Sequence, residues 1–166
     1  MCFRFYIVDF KKINLKGITR FCNKYNCCVK MSVKMDSNGI GIKIYDENRK
    51  SSISIYDVRE LTAEDKETVV GDLYDNEDLI ENVYCQCDHE LLIDANSSDE
   101  IRLVYLFAMY IASCTDLVLI DMSTQQMLIG RDLKKADKKM LERWAEQYDI
   151  KMKYMKDMEH LKDLIM

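Results

Sequence analysis

The stretch from residue 97 to residue 114 constrains the fold more than any other part of the chain. Ser97 is followed three positions later by Glu100, a capping-box pattern that satisfies backbone N–H groups at the start of a helix. Apolar residues then recur at helical spacing on nearly every side: Ile101, Val104, Tyr105, Ala108, Ile111 and Ala112 on one face, and Leu103, Leu106, Phe107 and Met109 on the other. A helix that is apolar all round has to be covered by other elements. We therefore expect a central, nearly fully buried helix over about 98–114.

Alternation of apolar and polar residues predicts strands on both sides of this helix. The predicted strands span about 3–8, 27–35, 40–45, 51–58, 117–121, 126–129 and 150–154, and residues 83–94 fit one or two further strands. Helices are predicted over about 13–25, over about 132–148 with Asp132 as the cap, and at the C-terminus, whereas residues 62–81 fit short helices or a long loop. This mixture favours an α+β fold, with one mostly antiparallel sheet, helices packed on it, and a single domain over residues 1–166.

Length and composition are those of a globular protein. With 166 residues, of which 48% are hydrophobic, the chain can bury a hydrophobic core that needs no disulfide bonds or metal ions to stabilise it. The N-terminal apolar run is too short for a signal peptide, and the longest run, Leu103–Cys114, falls short of the ~20 residues of a membrane helix. The seven cysteines lack the spacing of a secreted disulfide framework. We expect a cytoplasmic protein with free thiols and no membrane partner.

The net charge of −5 is unevenly distributed along the chain. Residues 1–56 carry 11 basic and four acidic side chains, whereas residues 57–100 carry two basic and 15 acidic ones. Such acidity repels nucleic acid and accelerates encounter with a cationic protein. The predicted partner-binding residues all lie in an acidic segment over residues 60–81: Glu60, Glu64, Asp65, Glu67, Asp72, Asp75, Glu77, Asp78 and Glu81. The alternative is a solvated acidic loop without a partner.

Cys85, Cys87 and His89 form the sharpest local cluster of chemically reactive residue types. In an extended segment all three would point to one face, and thiolate and imidazole are ligands that zinc prefers. A one-residue spacer is unlike the usual zinc-site spacing, however, and no glycine-bearing nucleophile turn accompanies any cysteine. We therefore predict no metal, no cofactor and no catalytic residue. A Cys/His enzyme or a zinc protein centred on these three residues stays as a weaker alternative.

The order of elements over residues 91–129 resembles that of small bacterial immunity proteins from polymorphic-toxin and contact-dependent inhibition systems. The matching parts are a strand, a capped buried helix, a short strand ending in Asp, and a returning strand: Leu92-Ile93-Asp94, Ala108–Ala112, Leu117–Asp121 and Met127-Leu128-Ile129. The resemblance implies a protein that binds a cognate toxin, often a basic nuclease, and covers its active site. Because such interfaces differ from pair to pair, it transfers no individual functional residue.

Charge and resemblance together predict a non-enzymatic binding protein. Its expected partner is a cationic protein, most plausibly a toxin domain, bound through the acidic segment. The alternative is a small-ligand-binding or regulatory α+β domain with a pocket beside the 98–114 helix.

Overall fold

Seven antiparallel strands form a single sheet in the described part of the chain. A computed structural model describes residues 1–36, 39–72, 82–124 and 126–165. Within these ranges the strands are β1 (Cys2–Val8), β2 (Val29–Asp36), β3 (Gly39–Asp46), β4 (Ser51–Glu60), β5 (Cys87–Asp94), β6 (Leu117–Asp121) and β7 (Gln126–Ile129). Their order across the sheet is β2-β3-β4-β5-β1-β6-β7. Every neighbouring pair is antiparallel, so the predicted α+β class is confirmed.

The main helices of the described ranges lie between these strands along the chain and after the last of them. They are α1 (Ile18–Asn23), α2 (Ala63–Asp72), α3 (Ser98–Cys114), α4 (Gly130–Lys134) and α5 (Lys138–Ile165), with 3-10 turns at Phe10–Lys12 and Leu15–Gly17. In the described ranges, none of these helices combines the length and the apolar character that crossing a membrane demands.

Helix α3 lies at the centre of the main core, as its sequence predicts. All residues from 101 to 112 are buried. Ser97 accepts a hydrogen bond from the Glu100 N–H at 3.2 Å, and the Glu100 carboxylate accepts one from the Asn96 N–H at 2.6 Å. The sheet covers one side of α3 through the ring pair Phe5–Phe107, and α5 covers another side, where the ring of Trp144 stacks on Tyr105.

The two faces of the sheet carry different side chains. Phe3, Phe5 and Ile7 alternate along β1 toward α3 and the main core. Tyr6, between them, points to the other face and joins a smaller apolar cluster with Tyr84, Cys87 and Val118, among others.

Two predictions near the C-terminus are wrong. Residues 150–154 belong to α5 and not to a closing strand, because no proline or glycine interrupts the sequence between 138 and 165 and a helix already under way propagates easily. The single helix predicted over about 132–148 with Asp132 as its cap is divided in two: α4 covers Gly130–Lys134, and α5 begins after Asp137, which accepts a hydrogen bond from the Met140 N–H at 2.8 Å.

Two further predicted elements are shorter or fewer in the structure. The first helix, expected over 13–25, consists of a 3-10 turn and then α1, which covers only Ile18–Asn23. Of the one or two strands predicted over residues 83–94 the structure has one, β5, because residues 82–84 are helical and β5 begins only at Cys87.

Candidate functional site

The acidic segment begins at a second capping box, at the start of α2. The Thr62 hydroxyl accepts a hydrogen bond from the Asp65 N–H at 3.2 Å, and the Asp65 carboxylate accepts one from the Thr62 N–H at 2.8 Å. These bonds to Thr62, together with Arg59, lower the pKa of Asp65 to about 2. The Thr-x-x-Asp spacing is a known helix-start signal, so the sequence holds the information that places this helix.

Arg59 ties α2 to a buried carboxylate of the sheet. Its guanidinium lies 3.0 Å from Asp65 and 2.6 Å from Glu90. The side chain of Glu90 is only 4% exposed, and Arg4 on the neighbouring strand approaches it to 3.6 Å. A buried carboxylate is costly unless cations and donors compensate it, so this network holds the end of β4 and the start of α2 in one arrangement.

Aromatic and backbone contacts attach α2 to residues 82–85. The Tyr84 hydroxyl donates to the Asp65 backbone carbonyl at 3.4 Å, and the Lys66 ammonium donates to the Cys85 carbonyl at 3.2 Å. The ring of Tyr84 stands edge-on to that of Tyr6, with centroids 4.9 Å apart. Helix α2 is thus joined to the face of the sheet opposite α3.

The structure brings some of the predicted partner-binding acids together on α2, and the carboxylate of Asp65 forms bonds within the fold. Glu60, Glu64 and Glu67 are exposed, and the last two lie three residues apart on one side of α2. Asp65 is half-buried and its carboxylate is occupied by Thr62 and Arg59. Asp72 is the last residue of α2. The remaining four predicted residues lie outside the described ranges: Asp75, Glu77, Asp78 and Glu81.

The cluster of Cys85, Cys87 and His89 does not form one face. Cys85 lies in an exposed turn before β5. Ile7 pairs with His89 but the next residue, Val8, pairs with Cys87, so Asp88 is an extra residue in the strand. This β-bulge shifts the alternation by one position. Consequently Cys87 joins the smaller cluster beside Tyr6, whereas His89 turns toward the opposite face.

Cys87 and His89 make different contacts within the fold. Burial raises the pKa of Cys87 to about 12, so its thiol stays protonated at neutral pH. The His89 ring stacks on Phe10 at 4.8 Å and lies 2.9 Å from the Asp88 carboxylate. In the part of the chain that the structure describes, no three His, Cys, Asp or Glu side chains are grouped closely enough to hold a metal ion.

A small cleft opens beside α3, where the sequence places the alternative ligand site. Its walls come from α3, α5 and the β6–β7 turn, and they include Tyr105, Trp144, Tyr148 and Asp121. Its volume is about 50 Å³, which leaves room for a few water molecules only. Pockets for small ligands span about 300–1,000 Å³, so the cleft does not favour the ligand-binding alternative.

Exposed lysines lie close together on β2 and β3, at one edge of the sheet. Lys34 and Lys43 are exposed on β2 and β3, on the face opposite the buried Ile42 and Ile44. Lys30, at the start of the edge strand, is paired with Glu47. Lysines on an edge strand discourage pairing with other sheets, which explains Lys30 and Lys34 on β2 without a ligand.

Comparison with protein-family models, with curated proteins and with solved structures found no match. The resemblance to immunity proteins therefore stays a prediction based on residues 91–129. In the structure these residues form β5, α3, β6 and β7, and β5 and β6 lie on either side of β1.

Proposed function

We propose that this chain is a non-enzymatic binding protein whose acidic segment, residues 60–81, binds a cationic protein. One observation carries the proposal: α2 is anchored to the sheet through Asp65, Arg59 and the buried Glu90, while Glu64 and Glu67 on the same helix are exposed. Asp65 thus anchors the helix, and Glu64 and Glu67 lie on its exposed side.

Anchoring matters because association costs entropy when the binding groups must first be ordered. A helix that is capped and tied to the sheet presents its carboxylates in a set arrangement and keeps that cost small. Between residues 60 and 72 the sequence has a single basic residue, Lys66, whose ammonium is directed to the Cys85 carbonyl. The exposed carboxylates therefore attract a cationic surface over a distance set by ionic strength.

A toxin domain of a polymorphic-toxin system is the partner that fits both the charge and the immunity-protein resemblance. Such toxins are often basic nucleases, and an acidic protein surface can occupy the cleft in which the nucleic acid binds. The proposed mechanism is stoichiometric: the acidic segment steers encounter and then blocks access of the substrate.

The test uses the product of the toxin gene next to the gene of this chain, with association followed by biolayer interferometry at several salt concentrations. The variant E64K/E67K should lower the association rate roughly tenfold at low salt and flatten its salt dependence, because steering by opposite charges acts mainly on the on-rate. Asp65 is left intact because it caps α2.

The matched control is E146K/D149K, which changes the net charge equally on an exposed part of α5. We expect the control to retain most of the on-rate. Equal losses in both variants would show that only net charge matters and would contradict a role for the acidic segment. A neighbouring toxin that does not bind at all, or the lack of any toxin gene beside this one, would contradict the proposed partner.

A further inference from the structure

A row of three cations lies along the exposed side of α1 and the turn before it. Lys16, Arg20 and Lys24 are four residues apart in sequence, and all three are exposed. The other side of the helix carries Ile18 and Cys22, which are both 1% exposed. At about 100° per residue, Arg20 lies roughly 180° around the helix from that buried pair, and Lys24 roughly 140°. These three cations, the basic row, therefore point to solvent.

The basic row has no acidic neighbour along the chain. From residue 10 to residue 35 the sequence has seven basic side chains and no acidic one. Within the described residues none of the three cations forms an ion pair: Asp9 is paired with Lys12 at 3.5 Å, and Glu47 with Lys30. The charges of the basic row are therefore open to an anion from outside the molecule.

Positive charge also exceeds negative charge where α1 approaches the start of α5. Burial raises the pKa of Tyr25, and the Cys22 thiol and the nearby Asp137 carboxylate raise it further. Asp137 is thus an acid that comes close to the C-terminal end of α1. Its neighbours in sequence are exposed and basic: Lys134, Lys135, Lys138 and Lys139. This border of the basic row stays positive overall.

Contacts with α3 hold the basic row in place. The Tyr110 hydroxyl donates to the Asn14 backbone carbonyl, and the Asn14 side chain accepts from the Lys16 N–H at 3.2 Å. Gly17 leaves the space that this hydroxyl needs, because a Cβ atom there would lie 2.5 Å from it. The rings of Phe21 and Tyr110 lie 5.5 Å apart. Since these contacts order the backbone before a ligand arrives, binding costs less entropy.

The length of the basic row favours a ligand with several negative charges in line. Eight residues at about 1.5 Å each place its two ends roughly 12 Å apart. A lone phosphate ion is too small to contact cations at both ends. A nucleic-acid duplex carries one phosphate charge per about 1.7 Å of its axis, so it offers several phosphates over the same distance.

The chemistry around the basic row fits a phosphate backbone better than a protein or a membrane. The exposed large apolar side chains of the described residues all lie at position 33 or later. Protein interfaces have an apolar core, and membrane-surface helices insert apolar side chains. Contacts to a duplex backbone need only cations and small polar groups, and Thr19 and Asn23 are exposed beside the row. Phe21 and Tyr25 are half-buried, which disfavours stacking on the bases of a single strand.

The described part of the acidic segment lies on the other side of the sheet. Helix α1 packs on α3 through Phe21 and Tyr110, whereas α2 is joined through Tyr84 to the face opposite α3. Helices on opposite faces of a sheet are separated by two layer spacings of about 10 Å each. That separation exceeds the Debye length of ~8 Å at physiological salt. The net charge of −5, which predicts repulsion of nucleic acid, is therefore not the charge that a ligand meets at the basic row.

We infer that the basic row binds the phosphate backbone of a nucleic-acid duplex, without reading its sequence. Lys16, Arg20 and Lys24 donate to phosphate oxygens and displace counterions, so binding is weak and strongly dependent on salt. The inference does not rest on the proposed function, because the three cations lie outside the acidic segment and the test needs no toxin.

Fluorescence anisotropy with a labelled DNA duplex of about 20 base pairs, titrated at several salt concentrations, tests the binding. We expect a dissociation constant of roughly 10–100 µM at about 50 mM salt, and a slope of log K against log salt of about −2.7 for three phosphate contacts. R20Q should reduce the slope to about −1.8, because one contact is lost. K43Q removes an exposed lysine on the other face of the sheet and should leave the slope unchanged.

Double variants separate the basic row from net charge. K16Q/R20Q should weaken binding roughly tenfold at about 50 mM salt, whereas K34Q/K43Q, with the same change of charge, should bind within about twofold of wild type. A wild-type protein that does not bind the duplex at this salt concentration overturns the inference, as does equal weakening in the two double variants or an R20Q slope equal to that of wild type. Binding to phosphatidylserine vesicles without binding to the duplex would also overturn it.

Discussion

Asp65 shows how one side chain can belong to an acidic segment and still serve the fold. Its carboxylate accepts from the Thr62 N–H and lies 3.0 Å from the Arg59 guanidinium. These contacts lower its pKa to about 2. A carboxylate with a lowered pKa in the folded state stabilises the protein above its unfolded pKa, near 4, and loses that contribution as the pH falls through the folded value.

Replacing Asp65 by Asn should therefore lower the melting temperature at pH 7, because the charge-assisted bonds to Thr62 and Arg59 become weaker. The difference between wild type and D65N should shrink between about pH 4 and pH 2, where the wild-type carboxyl itself becomes protonated. Thermal unfolding followed by circular dichroism at several pH values measures this. A difference that is constant over this range would show that charge at Asp65 is unimportant.

At the scale of single elements, short side-chain signals decide where helices begin. The capping boxes at Ser97 and Thr62 start α3 and α2, and Asp137 starts α5. The helices then continue for as long as the sequence contains no breaker, which is why α5 runs through residues 150–154. In β5, by contrast, a single extra residue at Asp88 moves Cys87 and His89 to opposite faces.

Replacing Ser97 by Ala should lower the free energy of unfolding by about 1 kcal/mol, because the Glu100 N–H loses its acceptor. Urea unfolding measures the change. Ser98, the first residue of α3, provides the control: S98A should be within about 0.5 kcal/mol of wild type. Comparable losses in the two variants would mean that the Ser97 cap contributes little.

At the scale of the whole molecule, Arg102 joins parts of the chain that are far apart in sequence. It is 3% exposed, and its guanidinium lies 2.6 Å from the Cys27 thiol, 3.4 Å from the Tyr25 carbonyl and 2.9 Å from the Glu142 carboxylate. One side chain of α3 thereby fastens both the loop before β2 and the start of α5.

Replacing Arg102 by Met should keep most of the volume but remove the guanidinium that these three partners share. We expect a loss of about 2–4 kcal/mol in the free energy of unfolding, since removing one member of a buried charged network is costly. Arg131 in α4 is exposed, so R131M should change stability by less than about 0.5 kcal/mol. Chemical denaturation of both variants measures the contrast, and an R102M variant as stable as R131M would contradict the bridging role.

Sequence periodicity alone predicted α3, most of the strands and the α+β class, because each depends on residue spacing within one element. The distribution of acidic and basic residues along the sequence predicted the acidic segment. The assignment of roles within that segment needed the structure: Asp65 is used internally, whereas Glu64 and Glu67 are exposed.

Only the tertiary structure decided which residues from distant parts of the chain meet. Arg59 and Glu90 are 31 positions apart, and Arg102 and Cys27 are 75 apart. The separation of Cys87 from His89 likewise depends on pairing with β1. Local patterns report the spacing of residues along one element, whereas these contacts depend on how elements pair and pack. The sequence by itself therefore determined the elements and the distribution of charge, and the packing of those elements determined which charges anchor the fold and which are exposed.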